Sequence, residues 1–171
     1  MNSDQQSPRR DQPEWVEGTE LPAQTYTLTR ADLVAYAGAS GDHNPIHWSD
    51  RVATAVGLPG VVAHGMITMA LGARALAAWA GDPARVTDYG VRFTRPVVVP
   101  DDDNGVAVEV RGTVGTVGTV GTVDTVDDGV AAVRLSVTCG EQSVLGQAKA
   151  SVLLGPVPVA PVLAADDRVD G

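Results

Sequence analysis

One cysteine, one lysine and one phenylalanine occur in 171 residues, and each scarcity removes a class of explanation. The single thiol, Cys139, forms no internal disulfide, and with no Cys or His at ligand spacing it belongs to no zinc or iron–sulfur motif. It is expected to be a packed thiol. Aromatic residues make up only 4%, so the core has to be built from Val, Ala and Leu. No apolar run approaches the roughly 18 residues of a membrane-spanning helix. The opening MNSDQQSPRRDQPEW has no apolar signal region, and a cytoplasmic location is expected. At a formal net charge of -9 and a pI near 4.6, nucleic acid and anionic membrane are not expected partners. Also missing are G-x-S-x-G, a P-loop and G-x-G-x-x-G, which leaves nucleotide cofactors without a seat.

What is present suits one globular domain, with 44% hydrophobic residues to bury. Residues 1–14 are polar and charged and read as a disordered arm. Residues 155–171, rich in Pro, Ala and Val, read as a disordered tail, which leaves 15–154 as the folded unit. Within it, Gln24 to Leu28 predicts a strand, and Thr29 with Asp32 three positions on predicts a capped helix with an apolar face of Leu33, Val34, Tyr36 and Ala37. Ser49-Asp50-Arg51 opens a second short helix closed by Gly57. The run from His64 to Ala80 is apolar almost all round, with Arg74 its one charge and Gly81-Asp82-Pro83 its stop, so it is expected to be buried on most sides. From Val86 the pattern switches to strands: VTDYGVRFT, the short run VVV at 97–99, VAVEVRGTV, VAAVRLSVTC and SVLGQAKASVLL. A long helix followed by an antiparallel meander indicates an α+β domain in which a curved sheet wraps the helix. GTVGTVGTVGTV at 112–123 has a period of three, which cannot match the two-residue alternation of a half-buried strand, and reads as a duplication that lengthens a hairpin.

The densest chemistry lies in SGDHNPIH, residues 40–47. Pro45 keeps Asn44 out of the helical region, so the segment is a shaped loop able to turn Asp42 and His47 toward one point. Two readings fit these residues alone. Asp, Asn and Pro are turn formers, and an Asx turn accounts for them; equally, a converging carboxylate and imidazole hold a water or exchange a proton with a substrate carbon. The second feature is His64-Gly65-Met66 at the start of the apolar helix. Free first-turn amides, with no side chain on Gly65 to block approach, make an oxyanion site for a carbonyl, although glycine also serves packing there. His64 reads as a residue that caps or orients.

The stretch YAGASGDHNPIH, with HGM beginning seventeen residues after His47, resembles the hydratase 2 motif of the MaoC-like (R)-specific enoyl-thioester hydratases and dehydratases. LTRADLVAYAGASGDHNPIHWSD, GLPGVVAHGMITMALG, WAGDP and VTDYGVRFTRPVVVP extend the resemblance over about residues 20–154, toward the B subunits of actinobacterial (3R)-hydroxyacyl-ACP dehydratases. The tails and the GTV repeat depart from that pattern. The resemblance implies a hot-dog fold, Asp42 and His47 as a catalytic dyad, and Gly65 as the oxyanion donor. It implies Asn44 and Pro45 as braces of the loop and gives His43 no role. Ala73 stands where some relatives carry a serine, so no serine is carried over. Neither metal nor redox cofactor is implied. The implied reaction is reversible dehydration of (3R)-hydroxyacyl thioesters of ACP or CoA, in type II fatty-acid synthesis or as an enoyl-CoA hydratase of β-oxidation or polyester metabolism. The implied assembly is a homodimer or a heterodimer with a second MaoC-like subunit. An acidic carrier protein would need a basic face on this chain, for which Arg92 and Arg95 around Phe93, or Arg51, are candidates. A hot-dog thioesterase would need an acidic residue on the long helix, and Gly65 to Ala80 has none. A purely acyl-binding subunit would not need Asp42, His47 and Gly65 together.

Overall fold

The computed structural model describes residues 13–119, 129–155 and 157. The expected arm and tail lie almost wholly outside these, as does the end of the GTV repeat. Strand β1 (Glu20–Leu28) leads into helix α1 (Arg30–Ser40) through the expected capping box. The Thr29 side chain accepts from the Asp32 amide, and the Asp32 carboxylate accepts from the Thr29 amide at 2.8 Å. Gly41, in the left-handed region at φ 75°, closes α1 where the polar loop begins. The apolar face of α1 is narrower than expected: Leu33 and Ala37 are buried, whereas Val34 is 63% exposed. A short helix α2 (Asp50–Ala55), N-capped by Ser49, follows the loop, and the long helix α3 (Gly65–Ala80) ends at Gly81, again left-handed.

Strands β2 (Val86–Phe93), β3 (Val106–Thr119), β4 (Gly129–Cys139) and β5 (Gln142–Leu153) join β1 in one antiparallel sheet of order β1-β3-β4-β5-β2. Only β3, β4 and β5 form the expected meander. The chain leaving α3 enters the edge beside β5, while β1 holds the opposite edge beside β3. The run at 97–99 is not a strand: Pro96 and Pro100 flank it, and prolines cannot donate to a ladder. Val98 instead makes a lone bridge with Val62, while Val97 and Val99 are buried. The GTV repeat enters β3, where Gly112 and Val114 are buried and Val117 is exposed. A register shift between Val114 and Val117 absorbs the clash between its period of three and the strand's period of two.

The sheet packs against α3 through Ile67, Leu71, Ala75, Leu76 and Trp79, with the valines of β3 and β4 opposite them. Burying Leu33 or Leu76 contributes about 2–3 kcal/mol each. Trp79 donates through Nε1 to the Pro22 carbonyl at 2.9 Å and lies so close to Gly112 that a side chain there would meet its ring. The expectation that α3 is covered on most sides is met except along one stripe. Met66, Ala70 and Ala78 are exposed, because five strands of one chain curve round only part of the helix. This is the long helix and curved antiparallel sheet of a hot-dog fold.

Candidate functional site

Three segments converge at the N-terminus of α3. Arg30 on α1 fixes their frame: its Nε donates to the Val99 carbonyl at 2.6 Å and its guanidinium pairs with Asp50 at 3.0 Å. Asp50 in turn accepts from the Val61 amide at 3.0 Å. The Val61 amide foremost, and Arg30 after it, hold the Asp50 carboxyl below the usual carboxylate range. The loop between α1 and α2 is thereby tied to the chain that enters α3.

Inside the loop, Asn44 and Pro45 act as braces. Asn44 has φ -55° and ψ 123°, outside the helical region as its position before proline requires, and its Oδ1 accepts from the Ile46 amide at 3.3 Å. Pro45 is the first residue of a single 3-10 turn, Pro45–His47. The Asp42 Oδ1 accepts from the Asn44 amide at 3.2 Å. The turn delivers His47 inward, where its Nδ1 lies 2.7 Å from the Val62 carbonyl. A carbonyl only accepts, so Nδ1 carries the proton, and in the neutral ring Nε2 presents the lone pair. The turn reading and the catalytic reading are therefore compatible, because the Asx turn is what aims His47. His43 contributes its carbonyl to the Trp48 indole at 3.1 Å.

His64 completes the cluster. Its Nε2 donates to the main-chain carbonyl of Asp42 at 3.1 Å, and its ring stacks on His47 with centroids 3.7 Å apart and planes 22° apart. It occupies the N-cap position of α3 without making a side-chain cap bond, so of the two roles expected of it, capping or orienting, its contacts fit the second. Its adjacency to Gly65 was the available signal, but nothing in the spacing foretells the stack. Asp42, His47 and His64 each offer a ligating atom within 4.8 Å of the others. Stacked rings keep their in-plane lone pairs in two nearly parallel planes, whereas an ion held at about 2.0–2.1 Å needs them to converge. The arrangement suits proton transfer better than metal ligation.

Gly65, the first residue of α3, is exposed beside the cluster at the edge of a cleft of about 270 Å³ that Thr68, Phe93, Arg95 and Val144 also line. A Cβ at Gly65 would lie 3.3 Å from the Phe93 ring. His64 makes no side-chain bond to the first turn, and the amides there lie at the positive end of the helix dipole, where negative charge is favoured. Of the basic candidates, Arg95 reaches this cleft, while Arg92 lies exposed on β2 and Arg51 on α2. Cys139 is half-buried and burial pushes its thiol up, as expected of a packed cysteine. Among the described residues no helix is long and apolar enough to cross a membrane.

The MaoC like domain family matches residues 14–130. A 3-hydroxyacyl-thioester dehydratase X of Mycobacterium tuberculosis is 43% identical over 82 residues, 46% of this chain and 27% of that protein. The fatty acid synthase subunit beta of Schizosaccharomyces pombe is 43% identical over 67 residues, 37% of this chain and 3% of that protein. A solved MaoC-like dehydratase superposes with a TM-score of 0.70 at 39% identity, covering 80% of this chain and 40% of its own. The matched part is thus less than half the length of each of these proteins.

Proposed function

The chain belongs to the MaoC-like domain family, and from that premise we propose that it interconverts (3R)-hydroxyacyl and trans-2-enoyl thioesters by loss and gain of water. One observation carries the reading: the His47 Nδ1–H is committed to the Val62 carbonyl, which in the neutral ring leaves the lone pair on Nε2, and ligating atoms of His47 and Asp42 lie within 4.8 Å of each other. The C2 proton of a hydroxyacyl thioester is weakly acidic, and its removal places charge on the carbonyl oxygen. In this reading the Gly65 amide receives that charge, and His47 takes the C2 proton on Nε2. The departing C3 hydroxyl, held by Asp42, collects the same proton and leaves as water. Nothing is consumed, so the enzyme ends as it began, and the reverse sequence adds water to the enoyl bond.

The matches to a hydroxyacyl-thioester dehydratase and a fatty acid synthase subunit support a place in fatty-acid synthesis. Arg95 at the cleft supports an anionic carrier group, phosphopantetheine of ACP or CoA, entering past Phe93. The exposed flank of α3, with Met66 at 53% and Phe93 nearby at 51%, supports pairing with a second hot-dog subunit, either another copy or a MaoC-like sister. The superposed dehydratase, of which this chain covers 40%, has the length for a second such unit.

Hydration of crotonyl-CoA and longer trans-2-enoyl thioesters, followed by loss of the conjugated absorbance, tests the reading with the chain alone and with a co-expressed sister subunit. Asp42→Asn and His47→Gln are each expected to lower kcat by about 10²–10⁴ while the fold persists. Activity intact in both variants, or absent from every wild-type preparation, refutes it.

A further inference from the structure

His64 is a second imidazole with no task in the mechanism above. It is 2% exposed, its Nε2–H is bonded to the Asp42 carbonyl, and the Tyr36 ring lies tilted against it with centroids 4.7 Å apart. With the proton on Nε2, the buried Nδ1 holds a lone pair that has no hydrogen-bond partner among the described residues. An N-cap is ordinarily Ser, Thr, Asp or Asn, which satisfy a first-turn amide; His64 holds the position and satisfies none. A buried unpaired nitrogen is costly, so this ring does not serve the stability of α3 through its Nδ1.

Apart from Tyr36, its two contacts are to the two members of the dyad. The His47 ring is pinned at one atom, Nδ1, to the Val62 carbonyl, which leaves it free to swing about that bond; the stack at 3.7 Å removes the swing. Asp42 lies exposed on its loop with one bond to its carboxylate, and His64 holds its main chain from the other side. Resting on the dehydratase reading, we propose that His64 is a positioning residue of the reaction, whose single ring sets the separation and the relative orientation of Asp42 and His47. A displacement of about 1 Å between reacting groups is enough to lose about 100-fold in rate.

Three substitutions in the full chain separate its two contacts. His64→Phe keeps a flat ring and loses the donor, His64→Gln keeps a donor and loses the ring, and His64→Ala loses both. Two readouts are taken: kcat and KM for crotonyl-CoA hydration, and the imidazole nitrogen resonances of His47 in ¹⁵N NMR. The expected result is a fall in kcat of about 10–100-fold for Ala, smaller falls for Gln and Phe, and KM within about threefold of wild type throughout. In wild type, His47 should show the distinct nitrogens of one tautomer, with the proton on Nδ1, and in the variants these should move toward averaging. Should Ala fail to fold, the Phe and Gln variants decide. Wild-type kcat together with unmoved His47 resonances in folded variants overturns the proposal. An inactive wild type whose His47 resonances respond to His64 overturns the reaction instead, and leaves the coupling of the two rings standing.

Discussion

Replacing Gly65 by proline removes one hydrogen-bond donor from the site and asks little else of the fold. Gly65 is the first residue of α3, where proline is well accommodated because its missing N–H has no partner inside the helix. The residue before it, His64, already has φ -58° and ψ 133°, the extended conformation that a following proline demands. The new Cβ would stand 3.3 Å from the Phe93 ring; Phe93 is 51% exposed and has room to yield. Gly65→Ala introduces the same Cβ and keeps the amide, so the ratio of the two variants reports loss of the donor together with the ring carbons that replace it. Loss of one oxyanion donor costs about 3–4 kcal/mol, or roughly 10²–10³ in kcat, and because the charge develops only in the transition state KM should change little. Enoyl-thioester hydration measured on both variants, with circular dichroism to confirm folding, gives the ratio. A kcat for Gly65→Pro within about threefold of Gly65→Ala would refute the assignment of this amide.

The Arg30–Asp50 link gives a prediction with a pH sign. Because the folded state holds the Asp50 carboxyl below its ordinary value, its contribution is present above the usual carboxylate range and is lost as pH falls through the lower folded value. Asp50→Asn should therefore lower the urea midpoint at neutral pH, and the difference from wild type should close under acid; an equal difference at both ends would contradict it. Gly72 on α3 faces the Tyr89 hydroxyl so closely that a Cβ has no space, and that hydroxyl is buried with no hydrogen-bond partner among the described residues. Gly72→Ala should cost about 1–3 kcal/mol in denaturant unfolding. Tyr89→Phe should be neutral or stabilising and should rescue most of that loss. Burial pushes the Tyr89 phenol up to about 12, so this tyrosine should ionise late in an ultraviolet titration.

What was legible in the sequence is what neighbours along the chain decide. The Thr29–Asp32 box, the glycines that end α1 and α3, and the Asn44-Pro45 turn each depend on a few adjacent residues. The dyad loop belongs to this class, since the turn that aims His47 is written in the loop itself. The receiving carbonyl of Val62 is not, because the chain reaches it only after passing through α2. The His47–His64 stack, the pairing of β2 with β5 and the open flank of α3 are likewise products of tertiary packing. Apolar composition distinguished a helix that something must cover, but not whether the cover comes from the same chain.

The register shift in β3 carries a consequence for how this chain tolerates changes in its own length. Each GTV unit inserts three residues, an odd number, into a structure that counts in twos. Gain or loss of one unit exchanges the inward and outward sides of everything beyond it, and the bulge between Val114 and Val117 is the seam where one such exchange is already absorbed. Two units restore parity. Drift in the repeat should therefore be tolerated more readily in steps of six residues than of three.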